Sequence, residues 1–179
     1  MRLIRALFAA LLLVAVVVPG AWAQAPGGKA PAVKLSSVPQ SPEWKLLTSL
    51  VGNWEGVMEE GGQKMAATVE VRMTGDASAI MHVIDKGGPH EMVTMIHPDG
   101  KRLLATHYCA AHNQPRMALV PSAKPNQVAF NFIDGTNIAP GDEHMRSVVF
   151  TFTDADHHDE AWTSSSSPTP AVFKYARKK

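Results

Sequence analysis

The chain has 179 residues, 45% of them hydrophobic and 18% charged, with a formal net charge of +1. That balance lacks the basic patch of a nucleic-acid-binding surface, so no nucleic-acid partner is expected. A single cysteine cannot form an intrachain disulfide, so the fold must hold by burial alone.

The chain opens with Arg2 and Arg5, an apolar run from Ala6 to Val18, Pro19-Gly20, and a small-residue Ala21-Trp22-Ala23 ending. This is the pattern of a secretory signal peptide over residues 1–23, cleaved after Ala23, and it implies an exported protein, periplasmic or secreted. The apolar run of about 13 residues is shorter than the roughly 20 that a spanning helix needs, so no integral membrane segment is expected after cleavage. Removing Arg2 and Arg5 leaves 15 of the 17 basic residues against 16 acidic ones. Residues 24–41 are rich in Pro, Gly, Ser and Ala with few large apolar side chains, and read as a flexible tether.

The domain proper is expected over residues 42–179. Ser41 as N-cap, Pro42 at the first helical position and Glu43 in the first turn start a helix. Trp44, Leu47 and Leu50 recur at helical spacing and Gly52 stops it, which predicts one short helix over 42–50. Beyond Gly52 the period changes to two, with turn signals such as "EEGGQ", "HPDGK" and "SAKPNQ" between runs such as "KMAATVEVRM", "RLLATHYC" and "MRSVVFTFT". About ten short strands in a meander follow, and closure into a single antiparallel up-and-down barrel removes the exposed edges.

A short helix running into "LVGNWEG" at the first strand, an antiparallel meander and a basic residue near the end, Arg177, resemble the calycin superfamily of lipocalin-like barrels. The likeness extends to nitrobindin-like ten-stranded barrels, whose opening has small residues around a tryptophan; Gly52, Trp54 and Gly56 match it, while Met58 stands where the pattern has a further glycine. The resemblance implies a barrel whose floor is plugged by Trp54, with Arg177 over the indole, and gives Gly52, Trp54, Gly56 and Arg177 structural roles. Alternation supports that geometry, since Phe173, Tyr175 and Arg177 share one face of the last strand.

Candidate chemistry centres on "LLATHYCAAHNQPRM", where His107, Cys109 and His112 fall within six positions. On a strand His107 and Cys109 face the same way as Leu103 and Ala105, which favours a pocket wall. The spacing fits no standard four-ligand zinc site, and no cysteine-hydrolase signature surrounds Cys109. No metal is therefore expected, although an enzyme or metal site using this cluster stays open as an alternative. A haem barrel is a second alternative, with His82, His107 or His158 as the inward histidine. His157 and His158 follow Asp154 and Asp156, a run that reads first as a solvated hairpin tip.

Eight methionines besides the initiator fall mostly inside strands, and flexible thioethers suit a container for irregular apolar ligands as well as an ordinary core. The expected pocket candidates are His107, Cys109, His82, Met65, Met73, Asn113, Arg116 and Asn137, the last three offering polar contacts from connections at the barrel mouth. The expectation is an exported barrel that binds a small, largely apolar molecule and has no obligate cofactor or catalytic residue.

Overall fold

The computed structural model describes residues 37–38 and 40–179; the expected signal peptide and most of the expected tether lie outside the described residues. Helix α1, Pro42–Ser49, begins as its sequence dictates: the Ser41 hydroxyl accepts from the Trp44 backbone N–H at 3.1 Å, and Pro42 occupies the first turn. Leu50 caps the other end. Trp44, Leu47 and Leu50 are buried together, and Val38, from the end of the tether, packs against the same core.

Ten strands follow: β1 (Gly52–Glu60), β2 (Gln63–Thr74), β3 (Ala79–Ile84), β4 (Met92–Asp99), β5 (Arg102–Tyr108), β6 (Gln114–Val120), β7 (Gln127–Thr136), β8 (Met145–Phe152), β9 (His157–Ser164) and β10 (Ala171–Arg177). Each pairs antiparallel with its neighbours in sequence, and β1 pairs with β10, from Trp54 opposite Arg177 to Glu59 opposite Val172. The sheet is therefore a closed ten-stranded up-and-down barrel with no free edge. Among the described residues no helix is long and apolar enough to cross a membrane.

Alternation puts the apolar set inside. Val69 and Val71, Ile80, Ile96, Leu103, Ala105, Val128, Phe130, Val148, Phe150 and Trp162 are all buried. Up-and-down connectivity divides the turns between two ends. The turns after β2, β4, β6 and β8 lie at one end, the floor; those after β1, β3, β5, β7 and β9 lie at the other, the mouth.

The floor is tied together around one indole. Trp54 is buried, its ring N–H donates to the Leu50 carbonyl at 2.7 Å, and the Arg177 guanidinium stands 4.1 Å from the ring centre. The same guanidinium donates to the carbonyls of Ser49 and Val51 at 2.9 Å and of Ala155 at 3.1 Å. One side chain thus joins the end of α1, the start of β1 and the β8–β9 turn. Two glycines make this approach possible. Gly52, at φ +141°, has Arg177 Nη1 within 2.7 Å of where a Cβ would stand, and a Cβ on Gly56 would overlap the Lys174 carbonyl of β10.

Candidate functional site

The barrel interior is not uniformly apolar. Strand β9 turns His158, Glu160 and Trp162 inward, from floor to mouth, and all three are buried. Glu160 Oε1 accepts from His82 Nε2 at 2.8 Å and from His158 Nε2 at 3.1 Å; Oε2 accepts from the Trp162 ring N–H at 2.9 Å. An ionised carboxylate only accepts, so both histidines carry their Nε2 proton here. Burial by itself would raise Glu160, but the charge of His82 and the hydrogen bonds from His158 and His82 outweigh it and hold the carboxyl below the ordinary range. Aromatic rings enclose the group: Trp54 meets His158 edge-on at 4.4 Å, and Phe150 meets His82 edge-on at 5.8 Å. Tyr175 packs beside His158 at 5.2 Å, and burial together with the Glu160 charge pushes its hydroxyl far up.

Above this cluster sits His107, 1% exposed, at the mouth end of β5. Its Nδ1 is 2.8 Å from the hydroxyl of Thr94, directly across the β4–β5 pair, and its Nε2 has no hydrogen-bond partner among the described residues. Burial, helped by the charge of His82, pushes His107 down to about 4, so the ring stays neutral at ordinary pH. Trp162 lies against it with ring centres 5.0 Å apart.

His107 and Trp162 form part of the wall of a cavity of about 250 Å³ at the mouth end. The apolar wall is built by Met58, Ile84, Met92, Met145, Ala171 and Phe173; Ser164 and Thr169 add hydroxyls, Glu60 and Glu143 stand at the rim, and the lining has no Lys or Arg. Its depth is set by the polar cluster below, because the large side chains of Phe150, Trp162 and His82 fill the barrel down to Trp54.

The sequence candidates separate on this geometry. His107 lines the cavity, and His82 faces inward but is spent on Glu160. Cys109 does not share the inward face: β5 ends at Tyr108, and Cys109 opens a turn in which its N–H donates to the Asn113 carbonyl at 3.0 Å. His112, at φ +63°, is exposed on that turn. The three do not converge, and among the described residues no group of three or more His, Cys, Asp or Glu side chains is placed to hold a metal ion.

Met65 is 53% exposed, since β3 pairs with β2 only from Val69 opposite Ile84 and leaves the Met65 end of β2 without a strand on that side; Met73 packs against the core at the floor end instead. Arg116 points outward into an ion pair with Asp134. Asn137 is exposed and donates to Gln114 Oε1 at 2.9 Å, whereas Asn113 is buried and ties the β5–β6 turn to the Glu143 carbonyl at 2.7 Å. Of the eight candidates His107 lines the cavity, and His82, Met65, Met73, Cys109, Asn113, Arg116 and Asn137 do not. His158 is not at a solvated tip, because β9 starts at His157 and carries it inside. Glu160, Thr94 and Trp162 were missed, although the alternation of "HHDEAWTS" already puts His158, Glu160 and Trp162 on one face.

No family model matches the chain. No curated protein matches it either. Among solved structures, Rv2717c from M. tuberculosis is similar over 78% of this chain and 99% of its own, with a TM-score of 0.54 and 12% identity. A protein of unknown function from the DUF3598 family, from Nostoc punctiforme, is similar over 74% of this chain and 48% of its own, with a TM-score of 0.50 and 12% identity. At this identity the likeness is one of β-barrel fold.

Proposed function

We propose that this chain is an exported, lipocalin-like barrel of the calycin type that holds a small, largely apolar molecule in the cavity at its mouth. The observation that carries the reading is the division of the interior. The floor half is filled and cross-tied, while the mouth half leaves a cavity walled by three thioethers, an indole and a phenyl ring, with His107 as its buried polar side chain and Glu60, Glu143, Ser164 and Thr169 as the other polar groups of the lining. Binding cavities have this composition, mostly apolar with a few placed polar groups. An apolar cavity of roughly 150 Å³ takes up benzene in another protein, so about 250 Å³ suits a ligand of about ten non-hydrogen atoms.

The two rival readings have less support. A haem would need His107, the inward histidine whose Nε2 is not committed to Glu160, but a porphyrin is several times larger than this cavity. An enzyme built on His107, Cys109 and His112 would need side chains that converge, and these diverge. Native mass spectrometry of the protein purified from its exporting host tests the proposal. A mass excess of a small molecule, lost in Ala171→Trp, which fills the cavity, is expected. An apoprotein that also fails to take up added toluene or naphthalene would overturn it.

A further inference from the structure

His107 is the buried polar side chain of the cavity wall, its partner Thr94 is buried outside the lining, and the hydrogen-bonding needs of that pair fix which way its protons point. The hydroxyl of Thr94 is 1% exposed, and among the described residues its one hydrogen bond is to His107 Nδ1. If Nδ1 carried the ring proton, the hydroxyl would accept it, its own O–H would be buried without an acceptor, and the lone pair of Nε2 would be buried without a donor. If Thr94 donates to Nδ1, the hydroxyl is satisfied and a single group is left over, the N–H on Nε2, at the opposite edge of the ring. Each buried polar group left unpaired is costly, so the second arrangement prevails. Trp162, the ring beside His107, has committed its own N–H to Glu160 and offers an apolar face.

We infer that His107 presents a neutral Nε2–H donor to the cavity, and that the ligand is an uncharged, mostly apolar molecule carrying a hydrogen-bond acceptor of the carbonyl type. This rests on the cavity reading above and adds the headgroup to it. The charge pattern excludes the anionic version of the same acceptor. The rim carries the exposed carboxylates Glu60 and Glu143, the lining has no cation, and the ionised Glu160 lies below with both oxygens already bonded. A ligand carboxylate would pass two like charges to reach a neutral donor, whereas a ketone, aldehyde or ester oxygen needs only the N–H.

Three probes of matched size and shape separate the possibilities: acetophenone, isopropylbenzene and benzoate, titrated calorimetrically into the mature protein. Wild type is expected to bind acetophenone about tenfold more tightly than isopropylbenzene, the ratio one net hydrogen bond supplies, and benzoate least of the three. His107→Phe should abolish the preference for acetophenone over isopropylbenzene. Thr94→Val, which releases the ring from its tautomer, should reduce the preference. The nitrogen NMR spectrum of His107 in unaltered protein provides a readout independent of any variant's folding, and should show protonated Nε2 and unprotonated Nδ1. Equal binding of acetophenone and isopropylbenzene, or the opposite tautomer, would overturn the donor assignment and leave the cavity standing. Tightest binding of benzoate would overturn the uncharged headgroup. Failure of all three probes would overturn the cavity reading itself, and this inference with it.

Discussion

Acidification should destabilise this barrel through His107. In the unfolded chain the imidazole takes a proton at about 6.5, whereas in the fold it resists until about 4. Between those values the unfolded state binds the extra proton, so stability falls as pH falls through that window and recovers above it. The full difference corresponds to about 3 kcal/mol, of which about 2 kcal/mol is lost by pH 5. Glu160 acts in a separate window: its folded pKa is lowered, so its contribution is present above the usual carboxylate range and is lost only as pH falls below it. The assay is urea denaturation at about pH 7 and about pH 5 for wild type and His107→Gln, which keeps reach to Thr94 but cannot titrate. Wild type is expected to lose about 2 kcal/mol more than the variant over this interval. Parallel losses would show that His107 protonates as readily in the fold as outside it, and would refute the burial argument.

Other expectations follow from the same interior. Glu160→Gln places an amide where three donors converge, leaves at least one unpaired, and should cost about 3 kcal/mol by denaturant midpoint. Trp54→Ala should cost about 3 to 5 kcal/mol, and Arg177→Ala about 2 kcal/mol, with Arg177→Lys recovering only part because one ammonium cannot reach three carbonyls and the indole together. An unchanged midpoint in Trp54→Ala would remove the floor from the account. Cys109→Trp should leave the binding of a neutral aromatic probe unchanged in calorimetry, because Cys109 lies in a turn outside the cavity.

Much of the fold was legible because its rules are local. Ser41-Pro42-Glu43 marks the helix start, Gly52 its end, and "HPDGK" and "SAKPNQ" mark reversals, so nearly every strand falls within two or three residues of its hydrophobic run. Closure followed from the hairpin rhythm. What escaped depends on distant partners or on where a strand stops. Glu160 lies two residues after a charged, histidine-rich turn and reads as solvated; its burial depends on His82, 78 positions earlier in the chain. His107 and Cys109 would share a face on a longer strand, but the turn closed by Asn113 ends β5 between them. Met65 has the inward phase and is exposed all the same, because phase says nothing about where the neighbouring strand β3 stops pairing with β2.

The most direct test of the central claim follows the methionine methyl groups by NMR during titration with a neutral aromatic probe such as acetophenone. Met58, Met92 and Met145 line the mouth cavity, Met73 packs at the floor end and Met65 is exposed on the part of β2 that β3 does not cover. Saturable shifts at the first three with Met65 and Met73 unmoved are the expected result. No saturable shift at Met58, Met92 and Met145, or shifts centred on Met73 or Met65, would contradict a binding cavity at the mouth of this barrel.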